Sequence, residues 1–129
     1  MSNKDIVIER LSKHYEGAKP GLHYGTPFQL LIATIMSAQT TDKQVNAVTQ
    51  TLFAKYPDAK SLAVLDVSEL EQIIKSTGFY HTKAANVLKT CQMLLQNYDG
   101  QVPKTMEELT KLAGVGRKTA NVVLSNAFG

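Results

Sequence analysis

The chain has 129 residues, of which 43% are hydrophobic and 19% are charged, so it suits one folded domain and not a long disordered chain. Its single cysteine excludes an internal disulfide and any metal site built from this chain's cysteines alone, and it favours a reducing, intracellular location. The longest apolar stretch, Phe28 to Met36, is too short to cross a bilayer, and the N-terminus lacks the pattern of a secretory signal.

The net charge of +3 is distributed unevenly along the chain. Basic and acidic side chains balance in residues 1–78, so the whole positive excess lies in residues 79–129. Such a bias fits a polyanionic partner such as nucleic acid, although many proteins that bind no polyanion share it.

Apolar spacing predicts helices throughout, and strand alternation is absent. The expected fold class is all-α, an irregular packing of roughly seven or eight short helices. A short amphipathic helix comes first, with its apolar face over residues 6–15 and its end near Gly17. Thr26 and Pro27 then predict an N-cap followed by proline at the first helical position. The helix that they open is nearly all apolar from residue 28 to residue 36, which predicts the buried centre of the fold.

The next helices are predicted from their caps. Thr41 caps a helix that stops before Pro57. Ser61 is expected to begin one short turn that ends at Leu65. Ser68 and Glu71 have the spacing of a capping box, which predicts the start of another helix.

A long helix and a short one follow. Gly78 predicts a stop, after which the apolar residues between 84 and 95 have the spacing of one long helix. Thr105 and Glu108 form a second capping-box pattern, which predicts a short helix ending at Leu112.

A Gly-Val-Gly turn then leads into the last predicted helix, which runs from near Arg117 to residue 127 or 128. Gly114 and Gly116 permit positive φ or the close approach of backbone N–H groups to an anion. The helix start points free N–H groups at the same place, where Arg117 and Lys118 add positive charge. The turn suits a nucleic-acid phosphate bound without regard to base sequence, and the alternative is an ordinary C-cap glycine before a loop.

Four blocks of the sequence resemble the endonuclease III family of DNA glycosylases, in the family's order and at similar spacing. They are the stretches 28–33, 37–42, 78–84 and 112–124. The resemblance implies a helical domain over residues 21–129 that contains a helix–hairpin–helix motif at 106–128. It also implies a separate N-terminal helix over residues 1–20, which in the family packs on a C-terminal domain. The implied activity is the repair of oxidised pyrimidines in double-stranded DNA, by N-glycosidic bond cleavage and then strand cleavage at the abasic site.

The resemblance implies that Lys118 is the catalytic residue. Its amine attacks C1′ of the flipped nucleotide and forms a Schiff base, and β-elimination then breaks the strand on the 3′ side. Attack requires the neutral amine, and the positive end of a helix dipole disfavours the ammonium form. Without the resemblance, a phosphate contact is an equally good interpretation of Lys118. The implied DNA-binding residues are Gln39, Phe79, Gly114, Val115, Gly116, Arg117 and Thr119.

Two of these residues have roles in opening the duplex. Gln39 resembles the residue that fills the space left by the flipped base, where its amide can hydrogen-bond to the orphaned base. Phe79 stands where the family usually inserts an aliphatic wedge between bases. The alternatives are that Gln39 is a solvated turn residue and that Phe79 packs into the core.

The sequence departs from the family near its end. Family members carry a catalytic aspartate in a Val-Asp-Thr-His segment and four C-terminal cysteines that hold a [4Fe–4S] cluster, and this sequence contains neither. We therefore expect an N-terminal part of a glycosylase, with weak or no glycosylase activity and at most residual lyase activity on preformed abasic sites. Ile6, Ile8 and Leu11 would then lack their partners, which favours self-association.

Two other functions stay open at this point. The chain could be a non-catalytic helix–hairpin–helix module in which Lys118 only contacts the DNA backbone, or a helical interaction protein with a chance hairpin. For a DNA-repair protein with this resemblance, the expected location is bacterial-type cytoplasm, in association with the nucleoid.

Overall fold

The computed structural model describes residues 22–37 and 40–128, and these residues form an all-helical fold. They contain seven α-helices and no strand, so the predicted fold class is confirmed. In chain order the helices are α1 (Pro27–Met36), α2 (Asp42–Lys55), α3 (Ala59–Ala63), α4 (Val67–Ile74), α5 (Tyr80–Asn97), α6 (Met106–Leu109) and α7 (Arg117–Val123). The first predicted helix, which ends near Gly17, and the predicted contact Gln39 lie outside the described residues.

Helix α1 is the centre of the core, as its composition predicts. The Thr26 hydroxyl accepts a hydrogen bond from the backbone N–H of Gln29 at 3.1 Å, and Pro27 occupies the first turn. Every side chain from residue 30 to residue 36 is buried. Helix α1 packs against α2, α5 and α7, so it joins the N-terminal helices to the hairpin region.

Helices α2 and α5 largely follow their predicted patterns. Thr41 caps α2 through the N–H of Gln44 at 3.2 Å, and the helix ends before Pro57. Helix α5 is 18 residues long and buries the predicted apolar face, with one exception. Leu95 is 39% exposed, because it lies off the face that packs against the core. No helix in the described part of the chain is long and apolar enough to cross a membrane.

Two predicted helix starts are wrong. Helix α3 begins at Ala59 because the Asp58 carboxylate accepts a hydrogen bond from the Ser61 N–H at 2.9 Å. This bond also holds the pKa of Asp58 below its usual value. Helix α4 begins at Val67, and the Glu69 carboxylate accepts from the backbone N–H of Asp66 at 3.4 Å. In both cases an aspartate two or three residues upstream of the predicted serine caps the helix instead.

The last two helices also differ in length from their predictions. Thr105 caps α6 as predicted, through the N–H of Glu108 at 3.2 Å. The α-helix ends at Leu109 rather than Leu112, since the N–H of Leu112 bonds three residues back and forms a turn. Helix α7 gives way to a π-helical turn over Leu124–Phe128, so the chain stays helical to the predicted end with altered hydrogen bonds.

Cys91 lies in the core on α5 and is expected to resist alkylation. Burial raises the pKa of its thiol to about 12, so the nucleophilic thiolate is scarce near neutral pH. Iodoacetamide at pH 8 should leave the folded chain unmodified and should modify it in urea, as intact mass would show. Because the folded pKa lies above the unfolded value, this group favours folding below pH 9.0, and that contribution is lost as the pH rises towards 12. Rapid labelling of the native chain would contradict the burial of Cys91.

Candidate nucleic-acid interface

The hairpin between α6 and α7 is closed by one tight turn. The backbone N–H of Val115 donates to the Leu112 carbonyl at 3.2 Å, and Gly114 has φ +76°, which few residues other than glycine adopt. The Val115 side chain is buried in the core. Val115 therefore anchors the hairpin, and its role as a DNA contact stays a prediction.

Gly116 differs from Gly114 in what its backbone requires. Its φ is −96° with extended ψ, a conformation open to any residue, and a Cβ atom built there would meet nothing within 4 Å. The expectation that the turn itself requires a glycine thus fits Gly114 but not Gly116. Because Gly116 has no side chain, the space directly in front of α7 stays open, which suits the close approach of a ligand to the backbone.

The first turn of α7 presents unpaired donors beside two cations. Side-chain oxygens cap α1, α2, α3 and α6, whereas in the described part of the chain α7, like α5, has no side-chain cap. Arg117 and Lys118 are exposed in this turn, and Thr119 is half-buried. Backbone N–H groups, the positive end of the helix and two cationic side chains together favour an anion such as a phosphate.

Phe79 forms an exposed corner directly before α5. Its backbone is left-handed with φ +48°, the preceding Gly78 has φ +72°, and the phenyl ring is 66% exposed. The alternative that this ring packs into the core is therefore wrong. A left-handed phenylalanine costs about 1–2 kcal/mol, so the surrounding structure must hold it in place.

Helix α5 supports both the Phe79 corner and the hairpin. It begins directly after Phe79, and about three turns further along it contacts the hairpin. There the buried Thr90 hydroxyl donates to the Ala113 carbonyl at 2.7 Å. Asn86 lies so close to Gly114 that a Cβ atom at Gly114 would be 3.0 Å from its side chain. One helix thus joins the two features that the sequence assigns to DNA contact.

The sequence interpretation missed Lys83 and Thr90, although a signal was present. Both are buried polar residues on the otherwise apolar face of α5, spaced seven residues and hence two helical turns apart. Polar residues at buried positions are expected to have specific partners, which here are the carbonyls of Thr77 and Ala113. The identity of those partners depends on tertiary contacts, so the pattern alone could not name them.

Replacing Thr90 by valine is expected to loosen the hairpin. Valine keeps the shape but removes the donor to the Ala113 carbonyl, which should lower the free energy of unfolding by about 1–2 kcal/mol. Thr34→Val is the matched control, since the buried Thr34 hydroxyl bonds only to the Leu30 carbonyl of its own helix. Urea unfolding followed by circular dichroism measures both variants. Equal effects of the two substitutions would contradict a special role for the Thr90 hydrogen bond.

The residues of this chain do not fit the iron–sulfur cluster that the family resemblance implies. Such a cluster needs four thiolate ligands, and the sequence has one cysteine. That cysteine is buried among apolar residues that disfavour its thiolate form. Within the described ranges, no three histidine, cysteine, aspartate or glutamate side chains converge on a metal-sized site.

Comparison with known proteins agrees with this geometry. The pattern of the HhH-GPD superfamily of base excision DNA repair proteins matches residues 32–125. Endonuclease III of Synechocystis sp. is 56% identical over 123 residues, which cover 95% of this chain and 56% of that protein. Endonuclease III of Bacillus subtilis is 44% identical over 125 residues, covering 97% of this chain and 57% of that protein.

Solved structures give the same result in three dimensions. A non-covalent endonuclease III–DNA complex superposes with a TM-score of 0.84 at 46% identity, covering all of this chain and 62% of that one. A thermostable thymine-DNA glycosylase superposes with a TM-score of 0.79 at 28% identity, over 85% of this chain and 51% of that one.

The fold and the hairpin are those of a helix–hairpin–helix DNA-repair protein. The chain belongs to the HhH-GPD superfamily of base excision DNA repair proteins, and its predicted resemblance to the endonuclease III family is confirmed. It spans 56–57% of the length of the two curated relatives named above.

Proposed function

We propose that this protein acts in base excision repair and that the chain cleaves DNA at abasic sites, with Lys118 as the catalytic residue. The observation that carries the proposal is the position of Lys118, exposed in the uncapped first turn of α7, directly after the tight glycine hairpin. For a protein of the family's full length, the proposal extends to an N-glycosylase for oxidised pyrimidines. The chain alone is proposed to have weak or no glycosylase activity.

The proposed reaction begins at the aldehyde of an abasic site. The neutral Lys118 amine adds to C1′ and water leaves, which forms a Schiff base. Loss of a proton from C2′ then lets the electron pair expel the 3′ phosphate, so the C3′–O bond breaks by β-elimination. Hydrolysis of the imine returns the lysine and releases an unsaturated aldehyde on the 3′ end.

DNA binding is proposed to use two surfaces that α5 joins. The hairpin residues Gly114 to Thr119 would hold backbone phosphates through N–H groups and the Arg117 charge, without regard to base sequence. Phe79 would insert between bases at the damaged step, where its exposed ring supports stacking. Gln39 is proposed to fill the vacated space, and double-stranded DNA with a damaged pyrimidine or an abasic site is the proposed partner.

The other expectations for the whole protein are also proposals. A [4Fe–4S] cluster is proposed only for a longer chain of this family, since one buried thiol cannot hold it. A bacterial-type cytoplasmic location in association with the nucleoid is proposed because the substrate is chromosomal DNA. The division of the chain at residue 20 and self-association through the N-terminal helix concern residues outside the described part, so both stay predictions.

Strand cleavage and salt-dependent binding test this function together. The chain is incubated with a 5′-labelled duplex that contains one abasic site and, separately, with one that contains an oxidised thymine. We expect a nick with an unsaturated 3′ aldehyde at the abasic site and little cleavage of the second duplex. Affinity for DNA should fall as salt rises, since phosphates release counterions on binding. Salt-dependent binding without a nick would favour the non-catalytic DNA-binding module, and absence of both would reject the proposal.

A further inference from the structure

Lys83 is a buried cation for which the lyase reaction has no use. It lies in the second turn of α5, and only 4% of its surface is exposed. Its Nζ donates to the Thr77 carbonyl at 2.7 Å, and no carboxylate pairs with it among the described residues. Burial lowers the pKa of this ammonium below its ordinary value, because desolvation disfavours the charged form.

The two hydrogen bonds of Lys83 enclose one glycine. Its side chain holds the carbonyl before Gly78, and its backbone N–H donates at 3.0 Å to the carbonyl of Phe79, the residue after Gly78. Both Gly78 and Phe79 have positive φ. The bond to Phe79 is the first backbone hydrogen bond of α5, which any residue at position 83 other than proline would make, so the Lys83 side chain itself fixes the residue directly before the two positive-φ positions. We name the pair Gly78 and Phe79 the wedge corner.

Hydrogen bonds also fix the backbone directly before the wedge corner. The Thr77 hydroxyl is buried and donates to the Ile74 carbonyl at 2.7 Å, and the N–H of Gly78 donates to the Lys75 carbonyl at 3.3 Å. A left-handed phenylalanine with an exposed ring persists only when its surroundings determine the backbone. The Phe79 ring makes little contact with the core, so the hydrogen bonds of the backbone must supply that control.

We propose that Lys83 is a positioning residue that holds the wedge corner in its left-handed conformation, so that the Phe79 ring points outward before DNA arrives. This positioning role rests on the proposed function, because it concerns the Phe79 ring that the proposed function inserts between bases. Rigid presentation lowers the entropy lost when the ring enters the base stack. Lys83 acts through Phe79 and touches neither DNA nor the reacting atoms.

The test measures how well the chain distinguishes damaged from intact duplex. The probes are a duplex with a tetrahydrofuran abasic-site analogue beside 2-aminopurine and the same duplex without the lesion. Lys83→Met replaces the ammonium with an apolar chain of similar length. Lys89→Met is the matched control, since Lys89 is an exposed lysine on the same helix. Phe79→Ala and the double variant with Lys83→Met complete a double-mutant cycle.

We expect Phe79→Ala to reduce the preference for the lesion by about tenfold, as the loss of one stacked ring would. Lys83→Met should reduce it by at least about threefold and should weaken the 2-aminopurine signal, while Lys89→Met changes only overall affinity. In the Phe79→Ala background, Lys83→Met should have no further effect on the preference, because nothing is left to position.

The outcomes separate this proposal from the proposed function. If the unmodified chain shows no preference for the lesion, or if Phe79→Ala leaves it unchanged, the wedge role of the proposed function fails. If Phe79→Ala reduces the preference and Lys83→Met does not, or if Lys83→Met acts equally in both backgrounds, the positioning role of Lys83 is overturned. Thermal unfolding by circular dichroism checks that each variant folds. Lys83→Gln replaces Lys83→Met in the test if Lys83→Met does not fold. If neither variant folds, Lys83 has only a structural role and the positioning role is overturned.

Discussion

Replacement of Lys118 by alanine is expected to abolish the covalent adduct that borohydride forms between this chain and abasic-site DNA. Borohydride reduces the Schiff base to a stable amine, so the adduct records which amine attacked C1′. Removing the nucleophile should lower the rate of adduct formation and strand cleavage by about a thousandfold or more. The Lys118 side chain is exposed, so its removal should leave the fold intact.

The controls separate nucleophilic attack from simple charge. Lys111→Ala removes another exposed lysine, located in the turn after α6, and should leave the adduct yield near that of the unmodified chain. Arg117→Ala should weaken DNA binding at low protein concentration, yet it should permit full adduct formation at saturating protein. Gel mobility and intact mass measure the adduct. An undiminished adduct in Lys118→Ala would reject Lys118 as the nucleophile.

Substitution by alanine is expected to affect mainly stability at Gly114 and mainly DNA affinity at Gly116. Gly114→Ala forces a Cβ atom into a backbone with φ +76° and to within 3.0 Å of the Asn86 side chain. The free energy of unfolding should fall by about 1–3 kcal/mol. Gly116→Ala meets no neighbour and keeps an ordinary φ, so it should cost only about 0.5 kcal/mol as a poorer N-cap.

DNA affinity should show the reverse order, so that among the folded molecules Gly116→Ala loses more affinity than Gly114→Ala. A methyl group at residue 116 occupies the open space before α7, where a phosphate would approach the backbone N–H groups, so Gly116→Ala should bind DNA at least about tenfold more weakly. Urea unfolding and fluorescence anisotropy with an abasic-site analogue measure the two quantities. A stable Gly116→Ala variant with full DNA affinity would contradict phosphate binding at this turn.

The sequence was sufficient to predict the structure wherever a local pattern of residues is compatible with only one conformation. Thr26 before Pro27 specified the start of α1, Thr41 specified the start of α2, and the unbroken apolar run after Pro27 specified the buried centre. The resemblance of the hairpin to the endonuclease III family was also legible from short blocks of residues. These features follow from caps, spacing and composition, which act within one or two helical turns.

Competition between nearby caps was not decided by the same patterns. Ser61 and Ser68 each stand close to an aspartate, and in both cases the helix begins after the aspartate. A serine and an aspartate are similar N-caps, so the cap pattern alone does not select which of the two begins the helix.

The sequence by itself determined the helical class, the buried central helix, the family and the identity of the lysine proposed for catalysis. Only the tertiary structure decided that Phe79 faces outward, that Gly114 and Gly116 serve different needs, and that Lys83 and Thr90 hold the wedge corner and the hairpin from one helix. The physical reason is the separation along the chain over which each interaction acts. Caps and periodicity act between neighbours in the chain, whereas the Thr90 hydrogen bond joins residues 23 positions apart and forms only when α5 and the hairpin pack together.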